Sequence, residues 1–252
     1  MKEQKKYAIT VIAGLLTIII SSIILFSSGS YAVYTANTAK RKLPVYGVGR
    51  DDGALSISFD CAWGTDYTDK ILDTLDFYNV KATFFVVQFW AEKYPDYLKK
   101  IVERGHEVGT HSKTHPKMSK LSAEEIEEEL KSSVAAIENV TGQKVKLFRP
   151  PFGDYDDKVI TVAENLGLYT IQWNVDSLDW KNLSAEQIAA RVIKKAGSGA
   201  IILMHNNGLH TAESLPLIFT ATQQKGLVYR PISELIYTDD FRITPDGTQI
   251  KN

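Results

Sequence analysis

The chain has 252 residues and one cysteine, Cys61. An internal disulfide and a multi-cysteine zinc site are therefore excluded. A lone thiol is most often a small core residue. Net charge is nearly absent: 29 Lys and Arg stand against 30 Asp and Glu, which excludes a bulk electrostatic binder of nucleic acid. No glycine-rich phosphate loop of either standard spacing occurs, which argues against nucleotide binding. No repeat of 20–50 residues is visible. What the chain does have is apolar content: 44% hydrophobic and 10% aromatic residues, enough to exclude a disordered chain. The length suits one large domain or two small ones.

The longest apolar stretch comes first. Residues 7–26 form an uncharged, mostly apolar run of 20 residues. As a helix that is about 30 Å, the thickness of a bilayer core. Lys2, Lys5 and Lys6 precede it and should hold that end in the cytoplasm. Ser30-Tyr31-Ala32 has small residues spaced for signal cleavage. The run exceeds the signal-peptide core of about 7–15 residues, so an uncleaved single-pass anchor is expected. The organisation read from the sequence is a cytoplasmic tail at 1–6, an anchor or signal at 7–27, a stalk and entry segment at 28–50, with Val45-Tyr46-Gly47-Val48 as an entry strand, a main domain at 51–238 and a tail at 239–252. The expected location is the cell membrane, with the main domain outside the cytoplasm.

From residue 55 the period of the pattern alternates. Strands are expected at 55–59, 82–87, 106–110, 145–148, 169–175, 200–204 and 227–229, from β-branched and apolar runs. Helices are expected at 66–78, 94–103, 122–140, 156–166, 184–196, 211–224 and 231–236. Ser122 to Glu125 and Ser184 to Gln187 read as capping boxes. Glycines 105, 142, 167 and 226 read as stops. About seven strand–helix units predict an α/β fold, a distorted (β/α) barrel, with an open doubly wound sheet as runner-up.

In such folds sites are built at the C-terminal ends of strands. Five strand ends here carry chemistry. The first delivers Asp60 and Cys61. The strand at 106–110 delivers His111 and His115, two imidazoles that can meet one metal if the stretch turns helically. The strand at 145–148 leads to Arg149-Pro150-Pro151-Phe152-Gly153, where the double proline fixes the backbone. The strand at 169–175 leads to Asp176, Asp179 and Trp180. The strand at 200–204 ends on His205. Each group alone reads as a helix cap, a stiff loop or a buried histidine. Five in the order the fold predicts form a constellation.

The order Phe59-Asp60, His111-x-x-x-His115, Arg149-Pro150-Pro151-Phe152, Asp176-x-x-Asp179-Trp180 and Leu203-Met204-His205 resembles the polysaccharide deacetylases, the NodB-homology or carbohydrate esterase family 4 enzymes. The resemblance spans about residues 51–230. The anchor and the Ser58-Phe59-Asp60-x-Ala62-Trp63-Gly64 stretch are similar to the sporulation-associated, membrane-anchored branch of bacilli. By position it implies a metal-dependent hydrolase that removes N-acetyl groups from cell-wall glycan, from N-acetylglucosamine or N-acetylmuramic acid of peptidoglycan. His111 and His115 would bind a divalent ion, usually zinc. Asp60 would be the general base and His205 the general acid. Arg149 would pair with Asp60, and Asp179 would hold Arg149. The Phe152 N–H would stabilise the oxyanion, and Leu203 and Trp180 would wall a pocket for the acetyl methyl.

Two positions depart from the family pattern. Cys61 stands where the family carries a second aspartate, a metal ligand, and Phe152 stands where it usually carries tyrosine. A thiolate ligates zinc well, at about 2.3 Å, and would favour zinc over magnesium or manganese. The side chain is shorter than that of aspartate. The alternative reading is therefore a deacetylase-like glycan-binding protein with weak or no catalysis. A de-O-acetylase of xylan-like sugars uses the same chemistry on an ester and is less favoured.

Overall fold

β2 (Ala54–Cys61) is the axis of the fold, and all eight of its residues are buried. The structure, a computed structural model, describes residues 41–252. On one side β2 pairs with β3 (Thr83–Val86) and on the other with β8 (Ile201–His205). Beyond β3 lie β4 (Glu107–Thr110), β5 (Leu147–Phe148) and β6 (Tyr169–Thr170); beyond β8 lies β7 (Val175–Asp176). β9 (Val228–Tyr229) joins the start of β2. Every pair in this sheet is parallel. The expected barrel is thus a curled parallel β/α half-barrel. Its edge strands, β6 and β7, are joined by no ladder among the described residues.

The pleat of β2 sorts its residues. Neighbouring side chains in a strand point to opposite faces. Leu55, Ile57, Phe59 and Cys61 enter the larger apolar cluster, with Ile71 and Leu72 of α1 (Thr68–Phe77) and Trp90 of α2 (Gln88–Lys93). Each fully buried aliphatic or aromatic side chain there contributes about 1.5–3 kcal/mol. Ser56, Ser58 and Asp60 face the other way. The Ser56 and Ser58 hydroxyls donate to the carbonyls of Arg230 (2.6 Å) and Ile202 (2.7 Å). Within the barrel a second cluster gathers Phe85, Leu147, Ile171 and Ile201.

The remaining helices are α3 (Pro95–Glu103), α4 (Ala123–Thr141), α5 (Asp157–Asn165), α6 (Ala185–Lys195), α7 (Thr211–Gln224) and α8 (Ile232–Leu235). Both expected capping boxes form, Ser122 with Glu125 and Ser184 with Gln187. The structure adds α2 ahead of the expected helix at 94–103. Pro95 then starts α3 as its first residue, where a missing N–H is harmless. The expected strand at 169–175 is two short strands. Asn174 leaves the ladder between them, and its side-chain oxygen accepts the Ile201 N–H at 3.0 Å.

Both ends of the described chain are built into the fold. Val45, placed in the expected stalk, donates to Thr170 (3.0 Å) and accepts from Gln172 (2.7 Å). In the expected tail, β10 (Phe241–Ile243) and β11 (Thr248–Lys251) form an antiparallel hairpin, and β11 pairs in parallel with β1 (Gly47–Val48). Gln249, fully buried in β11, exchanges two hydrogen bonds with the Tyr237 backbone. Gly199 sits so close below that a Cβ there would lie 1.6 Å from the Val48 carbonyl, so only glycine fits. The apolar run at 7–26 lies outside the described residues. Among the described residues no helix is long and apolar enough to cross a membrane.

Candidate active site

Parallel register places the site. Asp60 stands level with His205 on β8 and with Phe85 on β3. The strand ends therefore open into one cleft of about 700 Å³, lined by Asp60, His111, His115, Phe152, Leu203, His205 and Trp180 among others. Seven of the ten residues expected from the sequence line it. Arg149 lies directly beneath, bonded to Asp60. Asp179 lies behind His205. Cys61 is apart.

Asp60 is 8% exposed and accepts from Arg149 Nη1 at 2.8 Å. Burial pushes its pKa up, but the Arg149 charge and hydrogen bond, with His111 and His205 alongside, outweigh that and hold the carboxyl below the ordinary range. Arg149 is fully buried. Its second Nη donates to the Gln172 carbonyl at 3.2 Å, and its guanidinium lies 4.1 Å over the Phe85 ring. That stacking is a site for arginine rather than lysine.

His111 is 3% exposed, and its Nδ1 lies 2.7 Å from the Arg149 carbonyl. A carbonyl only accepts, so Nδ1 carries the proton. Nε2 is then the bare nitrogen, 3.5 Å from Asp60 Oδ2. Burial lowers the His111 pKa, and burial with the adjacent His111 lowers that of His115 to about 4, which favours the neutral form of both rings. The two rings lie 4.9 Å apart. They do not meet on a helical turn. Ser112 and His115 adopt left-handed backbone, φ 71° and 61°, and the stretch is a loop.

Glu129 of α4 holds that loop, and the sequence reading missed it. Its carboxylate accepts from Lys113 N (2.9 Å), Thr114 N (2.8 Å) and Thr114 Oγ1 (2.6 Å) while only 9% exposed. The signal was present: an acid on the buried face of α4, beside Ile126 and Leu130, with no cation in the helix facing it.

His205 carries the second acid–base pair. Its Nδ1 lies 2.7 Å from Asp179 Oδ1, and its N–H donates to Asp179 Oδ2 at 2.8 Å. Thr211 Oγ1 also donates to that oxygen, at 2.6 Å. Burial lowers the His205 pKa, but the Asp179 hydrogen bond and charge prevail and raise it. Asp179 was expected to hold Arg149 and instead holds His205. The reason is topological: Asp179 follows β7, and β7 pairs with β8, which ends on His205.

Cys61 lies in the last register pair of β2, opposite Val86, and so inherits the core face of the pleat. It is fully buried and does not line the cleft. Burial pushes the thiol pKa well above its ordinary value, and the Asp60 charge adds to that. Toward a divalent ion the site is incomplete. The two histidines fit, as neutral rings with His111 Nε2 bare and its other nitrogen oriented by a carbonyl, the usual arrangement of a metal-ligating imidazole. The third ligand does not: among the described residues no group of three His, Cys, Asp or Glu is placed to hold an ion.

Phe152 follows the double proline with φ 60° and is 64% exposed. A bulky residue in left-handed backbone is strained by about 1–3 kcal/mol, and such strain gathers at binding sites. Leu203 is buried and Trp180 is exposed on the cleft wall.

Fold and site together define a class: a parallel half-barrel that holds an Asp–Arg pair and an Asp–His pair about one cleft. The chain belongs to the polysaccharide deacetylase family, whose profile matches residues 47–171. It is 37% identical over 193 residues to the uncharacterized protein YlxY of Bacillus subtilis, covering 77% of this chain and 60% of that one. It is 32% identical to the peptidoglycan-N-acetylmuramic acid deacetylase PdaA of the same organism, covering 74% of this chain and 73% of PdaA. It spans only 41% of the length of PgdA, a peptidoglycan-N-acetylglucosamine deacetylase of Listeria monocytogenes. Among solved structures it superposes with a TM-score of 0.74 on a family 4 carbohydrate esterase pseudoenzyme from Bacillus anthracis, 37% identical, covering 76% of this chain and 68% of that one. A mutant of that pseudoenzyme with restored enzymatic activity is similar to the same degree.

Proposed function

We propose that the domain takes N-acetylated peptidoglycan into the cleft and hydrolyses its N-acetyl groups. The observation that carries this reading is the pair of separately anchored acid–base groups at level positions of adjacent strands. Asp60, kept ionised by Arg149, takes a proton from the attacking water. The water oxygen bonds to the acetyl carbon, and the Phe152 N–H stabilises the oxyanion. His205, held at Nδ1 by Asp179, delivers a proton from Nε2 to the nitrogen as the C–N bond breaks. Acetate and a free amino sugar result. Leu203 and Trp180 enclose the acetyl methyl. His111 and His115 are the groups toward which a divalent ion, zinc in particular, would be drawn.

The place of Cys61 favours a second reading, a glycan-binding protein with weak or no turnover. The likeness to a pseudoenzyme supports it. Membrane anchoring through residues 7–27, a location outside the cytoplasm and a role in sporulation belong to the proposal on the sequence reading alone. The test is acetate release from peptidoglycan and from N-acetylglucosamine oligomers by the chain lacking residues 1–40, with and without zinc. No release with any divalent metal refutes the first reading. Cys61→Asp separates the two: a large gain in metal affinity and turnover supports the second.

A further inference from the structure

The cleft is larger than an acetyl pocket requires, and one wall of it is a row of aromatic rings. Trp63 meets His115 edge to face at a centroid distance of 5.1 Å, and His115 meets Phe152 the same way at 4.6 Å. Trp63 lies at the outer end and is 61% exposed; Phe152 is 64% exposed. Large exposed aromatics at a cleft mark a ligand surface. The backbone beside Trp63 is also pinned. The Gly64 carbonyl beside it accepts from two buried side chains, Trp90 Nε1 at 2.8 Å and Asn206 Nδ2 at 2.9 Å. Gly64 takes φ 61°, and a Cβ there would come within 2.9 Å of Asn207 and Asp66. An exposed indole on a pinned backbone loses little freedom on binding.

We propose that Trp63 is a stacking platform for a second sugar of the glycan, next to the one whose N-acetyl group reaches Asp60 and His205. This rests on the glycan reading of the cleft above. The occupant is a β-linked N-acetylhexosamine chain. A β-pyranose presents axial C–H groups on its faces, an apolar surface that fits an aromatic ring. The indole is uncharged, so the platform selects ring shape and linkage rather than charge. The protein therefore gains affinity with chain length, and Trp63 supplies that gain.

The experiment is calorimetric titration of the chain lacking residues 1–40 with N-acetylglucosamine and its β-1,4-linked dimer, trimer and tetramer. Wild type, Trp63→Phe and Trp63→Ala are compared, with melting curves for each. The tetramer-to-monomer affinity ratio should fall about three- to tenfold in Trp63→Ala and be largely kept in Trp63→Phe. On the unsubstituted protein, the Trp63 indole N–H resonance, assigned with Trp63→Phe, should shift with tetramer and not with monomer. An unchanged ratio or an unmoved indole while tetramer binds overturns the platform alone. Absence of binding at any length overturns the platform and the glycan reading together.

Discussion

The Cys61 thiol should react with Ellman's reagent about a thousandfold more slowly in the native domain than in the urea-unfolded chain. The side chain is fully buried on the core face of β2, so labelling has to wait for the structure to open. An opening free energy of about 4 kcal/mol suffices for that factor, since about 1.4 kcal/mol is tenfold, and whole-domain stabilities run to about 5–15 kcal/mol. Burial and the Asp60 charge also disfavour the thiolate, the form that reacts. Zinc should add no further protection. Competition titration with a chromophoric chelator should give the wild type and Cys61→Ala the same zinc affinity within about twofold. Loss of a true ligand would exceed the 10–100-fold that outer-shell changes cause. Rapid labelling of the metal-free domain that zinc abolishes would refute the pleat argument and make the thiol a ligand.

Glu129→Ala should destabilise the domain by about 2–3 kcal/mol in urea unfolding, because the Lys113 and Thr114 N–H groups lose a charged acceptor. It should also broaden the His111 and His115 imidazole signals in NMR. Arg149→Ala leaves Asp60 buried without its partner and should cost about 3–5 kcal/mol. Arg149→Lys should recover little, since lysine cannot span Asp60 and the Gln172 carbonyl while lying flat on Phe85. His106, 2% exposed and accepting the Ala82 N–H at Nδ1, has its pKa lowered by burial to about 4. The unfolded chain takes that proton first as pH falls below about 6.5. Stability is therefore lost between about pH 6.5 and 4, by up to about 3 kcal/mol. In His106→Leu that part of the acid slope should vanish from unfolding curves measured across this range.

The alternation of strands and helices was legible because its periods differ and its caps are local. Ser122 with Glu125 and Ser184 with Gln187 need nothing beyond four residues of sequence. The site was legible as a set, since parallel register brings strand ends together whatever the loops do. What was not legible depended on which strand lies beside which. Asp179 could be assigned to His205 only once β7 was known to pair with β8. The break at Asn174 rests on a hydrogen bond to β8, far along the chain. β10 and β11 are short and mixed in polarity, and acquire a reason to form only from β1. Cys61 is the instructive case. Alternation along 55–61 already puts it with Phe59 and against Asp60, provided the strand runs one pair beyond the aspartate, and that length is set by Val86 across the ladder.

The pairing of β1 with β11 imposes an order on biogenesis. Gly47 meets Thr248 and Val48 meets Gln249, partners separated by about two hundred residues. During synthesis the early segment has no neighbour on that side until residues 248 and 249 have emerged. The half-barrel can collect its strands in sequence, but the clasp of β1 closes only once residues 248 and 249 have been made. A product stopped short of residue 248 would leave Val48 and the close-fitted Gly199 uncovered. The β1–β11 ladder is therefore among the last contacts of the described fold that can form during synthesis.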